Sequence, residues 1–104
     1  MILEERDYRM KPGKVAAFLA AYEKLGLPVQ RRHLGEPYGF FTSDIGELNR
    51  VVAMWRYQDL TDRSARRAEM LADPDWPAYL ARIDGMIDQQ AIRILTTAPF
   101  FDLQ

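Results

Sequence analysis

A small set of residues carries groups that could bind or transform a small molecule. Glu4, Arg6 and Tyr8 recur at every second position near the start of the chain, and Trp55 and Tyr57 repeat that spacing further on. Arg93 stands in a later apolar run, and His33 is the sole histidine. A spacing of two places side chains on one face of a strand. A carboxylate in a partly apolar cavity can act as a general base when burial raises its pKa, whereas a guanidinium beside it lowers the pKa and holds the charge. Glu4 and Arg6 could therefore position a polar ligand or a water, or satisfy one another inside the fold together with Arg93. Trp55 and Tyr57 could stack a flat ligand or pack as ordinary core. His33, beside Gln30, Arg31 and Arg32, could shuttle a proton or offer one axial ligand, or hold a structural or surface contact.

Composition narrows the chemistry. There is no cysteine, which excludes disulfides, thiolate catalysis and zinc–thiolate sites, and one histidine cannot build a multi-histidine metal centre. No metal or cofactor is expected. Arg and Lys nearly balance Asp and Glu, for a net charge of −1, so no footprint for nucleic acid stands out. The opening MILEERDYRMKPGK is too charged for a signal peptide, and no apolar run is long enough for a membrane span. A cytoplasmic location without membrane insertion is the expectation. Arg31, Arg32, Arg66 and Arg67 could suggest an anion site, but acidic neighbours such as Asp62 and Glu69 make Arg66 and Arg67 read as a solvated helix face.

The elements that must position these groups follow from periodicity. Residues 2–10 alternate as a strand, and Lys11-Pro12-Gly13-Lys14 reads as a type II turn. Val15, Phe18, Leu19, Tyr22 and Leu25 form the stripe of a helix over 14–26, with Gly26 as its stop and Pro28 barring continuation. Residues 38–42 and 50–58 read as strands joined by the turn-rich 44–49 segment, and so as an antiparallel hairpin. A helix over 61–72, capped by Thr61 or Asp62, precedes a second helical stretch with Trp76, Tyr79, Leu80, Ile83 and Ile87 on one stripe; residues 89–97 give the last strand. The order β-α-β-β-α-β is the ferredoxin-like pattern, an α+β fold whose four-stranded antiparallel sheet carries helices on one face. The length leaves room for one domain over residues 1–104.

Particular stretches make the pattern specific. ILEERDY followed by MKPGK, the long run GLPVQRRHLGEPYGFFTSDIGELNRVVAMWRY at 26–57, ADPDWPAYL and RILTTAPF together resemble the NIPSNAP family over about residues 1–100. The resemblance implies a dimeric α/β barrel, related in architecture to small stress-response barrels and cofactor-free monooxygenases. It implies no general reaction. Eukaryotic members are discussed as mitochondrial adaptors, and bacterial members are mostly single domains like this chain. Two positions depart from the family pattern: Ala53 stands where members often carry His, and Glu5 stands where the family tends to be apolar.

Strand parity sorts the candidates into two sets. Leu3, Val52, Met54, Ile92 and Ile94 form an aliphatic set suited to packing under the helices. Glu4, Arg6, Tyr8, Val51, Ala53, Trp55, Tyr57, Ala91, Arg93 and Leu95 form a mixed set of the kind that lines a ligand cavity. The division assumes aligned registers, and a slip of one residue reverses it. Two functions compete. In one, the chain binds a small aromatic or polar organic ligand in a barrel cavity, as a binding protein or a cofactor-independent enzyme. In the other it is a non-catalytic homodimeric interaction or adaptor domain. A cavity open to solvent favours the first and a cavity plugged by side chains the second. A homodimer formed through the bare sheet faces is expected in either case.

Overall fold

The computed structural model describes residues 1–103, so the last position of the expected 1–104 domain lies outside the described residues. Four strands, β1 (Ile2–Met10), β2 (Gly39–Thr42), β3 (Arg50–Tyr57) and β4 (Ile87–Thr96), form one antiparallel sheet in the order β2-β3-β1-β4. The helices α1 (Val15–Ala21), α2 (Leu27–Leu34), α3 (Leu60–Ala72) and α4 (Asp75–Arg82) occupy the two crossover connections. This is the ferredoxin-like α+β arrangement.

The first helix is longer than its stop signals suggest. Gly26 does not end it. Between α1 and α2 the chain makes a π turn over Tyr22–Gly26, in which the Leu27 amide donates to the Tyr22 carbonyl. Gly26 keeps a right-handed φ of −83°. Pro28 then falls in the first turn of α2, immediately after the widened turn, where its missing N–H and its ring are tolerated. The glycine is needed for space. A Cβ there would lie 2.7 Å from Cε1 of Tyr79 and 2.9 Å from Cδ1 of Tyr22. α2 ends at Gly35, whose φ of 82° is a left-handed conformation natural to glycine.

The cap of α3 also differs from the expected Thr61 or Asp62. Asp59 is the N-cap, accepting from the Asp62 amide at 2.8 Å, while the Asp62 carboxylate reaches back to the Gln58 amide at 2.9 Å. This reciprocal pair satisfies one orphan donor of the first helical turn and the amide of the residue before the cap.

The assignment of sheet faces requires a larger correction. Residues directly opposite one another share a face. Glu4 pairs with Trp55 and with Ile94, and Arg6 pairs with Ala53 and with Ile92. The mixed set from β1 and β3 is thus the helix-facing side: Glu4, Arg6, Val51, Ala53, Trp55 and Tyr57 are buried and Tyr8 is partly buried. Leu3, Val52 and Met54 lie on the other face, opposite to the expectation. β4 is out of phase with the expected grouping. Ile92 and Ile94 share the face of Glu4 and Arg6, whereas Ala91, Arg93 and Leu95 join Leu3 and Glu5. The helix layer covers β1 and β3 but leaves β4 bare, so Ile92 and Ile94 remain 46% and 38% exposed.

The face away from the helices is not uniformly apolar. Glu5 pairs with Arg93 at 2.5 Å, Asp7 with Arg50 at 3.1 Å and Arg9 with Asp88 at 2.7 Å. The glutamate at the family's apolar position therefore has a cross-strand cation to hold it.

Candidate functional site

The core between sheet and helices is incomplete. Phe18, Tyr22, Trp76, Tyr79 and Ile83 converge from the helices on the middle of the sheet and surround a cavity of about 450 Å3. That volume falls within the range of small-molecule sites, roughly 300–1,000 Å3. Its walls are strongly aromatic. Tyr22 stacks on Phe40 with ring centroids 4.6 Å apart, and Trp76 meets Tyr79 at 5.0 Å. Arg6, Tyr8, Ala53 and Trp55 supply the sheet side, Arg67 reaches in from α3, and Asp84, Gly85, Ile87 and Gln90 rim the mouth.

Behind Arg6 and Trp55 sits the fully buried carboxylate of Glu4. It accepts from the Arg63 Nε, and its Oε1 lies 3.6 Å from the Arg6 Nη1. The Arg6 Nε donates to the Tyr8 hydroxyl at 2.6 Å. Glu4 is therefore a buried anchor for two guanidiniums rather than part of the cavity lining. Burial of such a charge is tolerable only with partners of this kind. The anchoring is incomplete. Glu4 Oε1, Arg6 Nη1, Trp55 Nε1 and the Tyr57 hydroxyl are buried and make no hydrogen bond to any described residue. Buried polar atoms in folded proteins nearly always find partners, so these four leave hydrogen-bonding capacity unmet on the sheet face that carries the cavity.

Three tyrosines are held in their protonated form. Burial, reinforced by Tyr79, pushes the Tyr22 phenol far up, and it donates to the buried Gln30 Oε1 at 2.5 Å. Burial raises the Tyr79 phenol likewise. The Tyr57 phenol is pushed up to about 12 by burial and then by the charge of Glu4. At neutral pH these groups offer hydrogen bonds and no negative charge.

Of the sequence candidates, Arg6, Tyr8 and Trp55 line the cavity, and Glu4 and Tyr57 are buried on the same sheet face. Arg93 does not join them: its side chain is 69% exposed on the opposite face, bound to Glu5. His33 lies outside the cavity as well. Its Nε2 is 2.8 Å from the Asp73 Oδ2, which also accepts from Arg32 at 2.6 Å. This cluster ties the end of α2 to the junction between α3 and α4.

The residue missing from the sequence argument is Arg67. Read as solvated, it instead turns inward. Arg63, Arg67 and Met70 form the i, i+4, i+7 stripe of α3 that faces the sheet, while Leu60 and Leu71 are exposed. The inward stripe of this helix is basic, and no rule based on apolar periodicity detects that. A charge pattern could have: Arg63 and Arg67 share a helical face with no acidic residue at i−4 or i+4 of Arg67. Among the described residues, no group of three or more His, Cys, Asp or Glu could hold a metal ion, and no helix is long and apolar enough to cross a membrane.

Comparison with known proteins places this geometry in a family. The NIPSNAP family model matches residues 3–101. The protein NipSnap homolog of Dictyostelium discoideum is 32% identical over 84% of this chain and 38% of its own length. Mouse NipSnap homolog 3B is 30% identical over 93% of this chain and 39% of its own length. The chain thus spans under half the length of these curated relatives. Among solved structures, a NIPSNAP family protein with unknown function from Agrobacterium tumefaciens superposes with a TM-score of 0.93 at 39% identity, covering 100% of this chain and 94% of that one. An uncharacterised NIPSNAP domain protein from Burkholderia xenovorans gives 0.92 at 37% identity, over 98% of this chain and 99% of that one. A putative antibiotic biosynthesis monooxygenase from Nitrosomonas europaea gives 0.67 at 14% identity, over 93% and 98% of the two chains, and shares the fold alone.

Proposed function

We propose that this chain, which belongs to the NIPSNAP family, binds a small organic molecule with an aromatic or otherwise flat apolar body in the cavity between its sheet and helices. One observation carries the proposal: an aromatic-walled cavity of about 450 Å3 that opens to solvent and is backed by buried polar atoms without partners. A scaffold domain has no use for such a space, since an unfilled interior forgoes packing energy. Ala53 enlarges it. This residue lies on the cavity floor between Arg6 and Phe40, and a larger side chain there would occupy the ligand's volume.

Within this proposal the chain pairs with a second copy of itself. β4 supports this, with Ile92 and Ile94 bare on the helix side, Leu95 on the other face, and Phe100 92% exposed just beyond the strand. Exposed apolar surface of this extent commonly marks an interface. Sedimentation should give a dimer at micromolar concentration; a species of 12.1 kDa would contradict pairing.

Trp55 and Trp76 line the cavity and report on its contents. Titration with a panel of neutral and charged aromatic compounds should quench their fluorescence saturably for some members. Ala53→Leu should abolish the response without lowering the unfolding midpoint. Saturable quenching that survives Ala53→Leu unchanged would place binding elsewhere, and no response to any member would contradict binding.

A further inference from the structure

The cavity's charge identifies the class of ligand, resting on the binding function just proposed. Arg6 and Arg67 both line it. Arg6 is nine-tenths buried, and its Nη1 makes no hydrogen bond. Its nearest carboxylate, Glu4, is already engaged by Arg63. Arg6 and Arg63 already share the one Glu4 carboxylate, and Arg67 adds a third guanidinium with no carboxylate of its own. No described carboxylate lies within ion-pair distance of Arg67; Asp84, the one acidic residue in the lining, is exposed at the mouth. Burial, and then the neighbouring Arg6, disfavour the charge on Arg67. An arginine does not relieve this by losing its proton, because its pKa is too high. It needs an anion.

We infer that the cavity takes a monoanionic carboxylic acid with a flat apolar body, its carboxylate held by Arg67 beside the Arg6 guanidinium and its body held among Trp55, Trp76 and Tyr79. The guanidinium fork matches a carboxylate in shape and forms charge-assisted hydrogen bonds with it. The aromatic walls suit an apolar body and give little to a polyhydroxylated one. Of the two positive charges in excess of Glu4, Arg63 shares its own with solvent, and one ligand carboxylate set between Arg6 and Arg67 meets the other.

The test pairs acids with their neutral isosteres. Benzoate, 2-naphthoate and indole-3-acetate, each beside its primary amide, are titrated into wild-type protein, Arg67→Met and Arg67→Lys, with tryptophan fluorescence as the readout. Each acid that binds should do so at least about tenfold more tightly than its amide. Arg67→Met should erase that difference while leaving amide affinity in place, and Arg67→Lys should retain part of it. Arg67 is partly buried in the cavity wall and makes no ion pair with a described carboxylate, so these variants should keep an unfolding midpoint close to wild type, which urea denaturation checks. Equal binding of acids and amides to wild type would overturn the inference and leave the cavity function standing. An acid preference that survives Arg67→Met would overturn the assignment to this residue. Failure of every compound to bind would remove both.

Discussion

Glu4 and Trp55 stand directly opposite each other on β1 and β3, and each holds a buried polar atom that makes no hydrogen bond. The pairing links the two halves of the interior. Behind it, the Glu4 carboxylate holds Arg63 and approaches Arg6. In front of it, Trp55 and Arg6 face the cavity.

Glu4→Gln should be severely destabilising, because it leaves two guanidiniums without their buried counter-charge. The expected loss is about 3–5 kcal/mol. Arg93→Ala, which breaks an ion pair on the exposed face, should cost about 1 kcal/mol or less. Urea denaturation of the two variants measures both. Similar midpoints would show that Glu4 is not the anchor described.

Gly26→Ala tests the contact that shapes one cavity wall. The added methyl would meet the Tyr79 and Tyr22 rings well inside normal contact distance. The rings must shift, at a cost of about 1–3 kcal/mol, and the displaced Tyr79 should weaken ligand binding as well. Paired thermal melts and ligand titrations report the two effects. Wild-type behaviour in both would show that the wall is slack.

Asp73 makes the fold sensitive to acid. The His33 contact first, then the Asp75 amide and Arg32, hold its carboxyl at about 2, below its ordinary 3.8. Glu69 and the Asp75 carboxylate are the acidic groups nearby. A depressed folded-state pKa means that the unfolded chain takes up the proton first. The stabilisation is therefore fully present above 3.8 and is lost as pH falls through about 2. Asp73→Asn should flatten that part of the stability-against-pH curve, measured by urea unfolding across the acid range. An unchanged slope would contradict the cluster's role.

Much of this architecture was legible in the residues themselves. Alternation marked β1 and β3, and the stripe through Phe18 and Tyr22 marked the helix that packs on them. The grouping of Glu4, Arg6 and Tyr8 within β1 and of Trp55 and Tyr57 within β3 was also legible, since the period of two is fixed by the strand, and the assumed alignment of the two sets agrees with the register. The partner of that face was not. Charge within the set argued for a side away from the helices, but Arg63 reaching down from α3 satisfies Glu4 and lets the face be buried. Parity within β4 likewise says nothing about its alignment with β1, and Arg93 fell on the wrong side for that reason. Gly26 and Pro28 read as a helix end because the rules for both assume α geometry, which the π turn suspends. Arg67 was hidden because an inward-facing arginine has no apolar signature.

The two indole N–H groups offer the most direct check on the central claim. Trp55 and Trp76 both line the cavity, and the Trp55 Nε1 is buried without a partner. In 15N-labelled protein each gives a separate NMR signal. Titration with 2-naphthoate should move both signals saturably in the wild type and neither in Ala53→Leu. Signals that stay fixed in the wild type up to millimolar 2-naphthoate, or that move equally in Ala53→Leu, would contradict a ligand in this cavity.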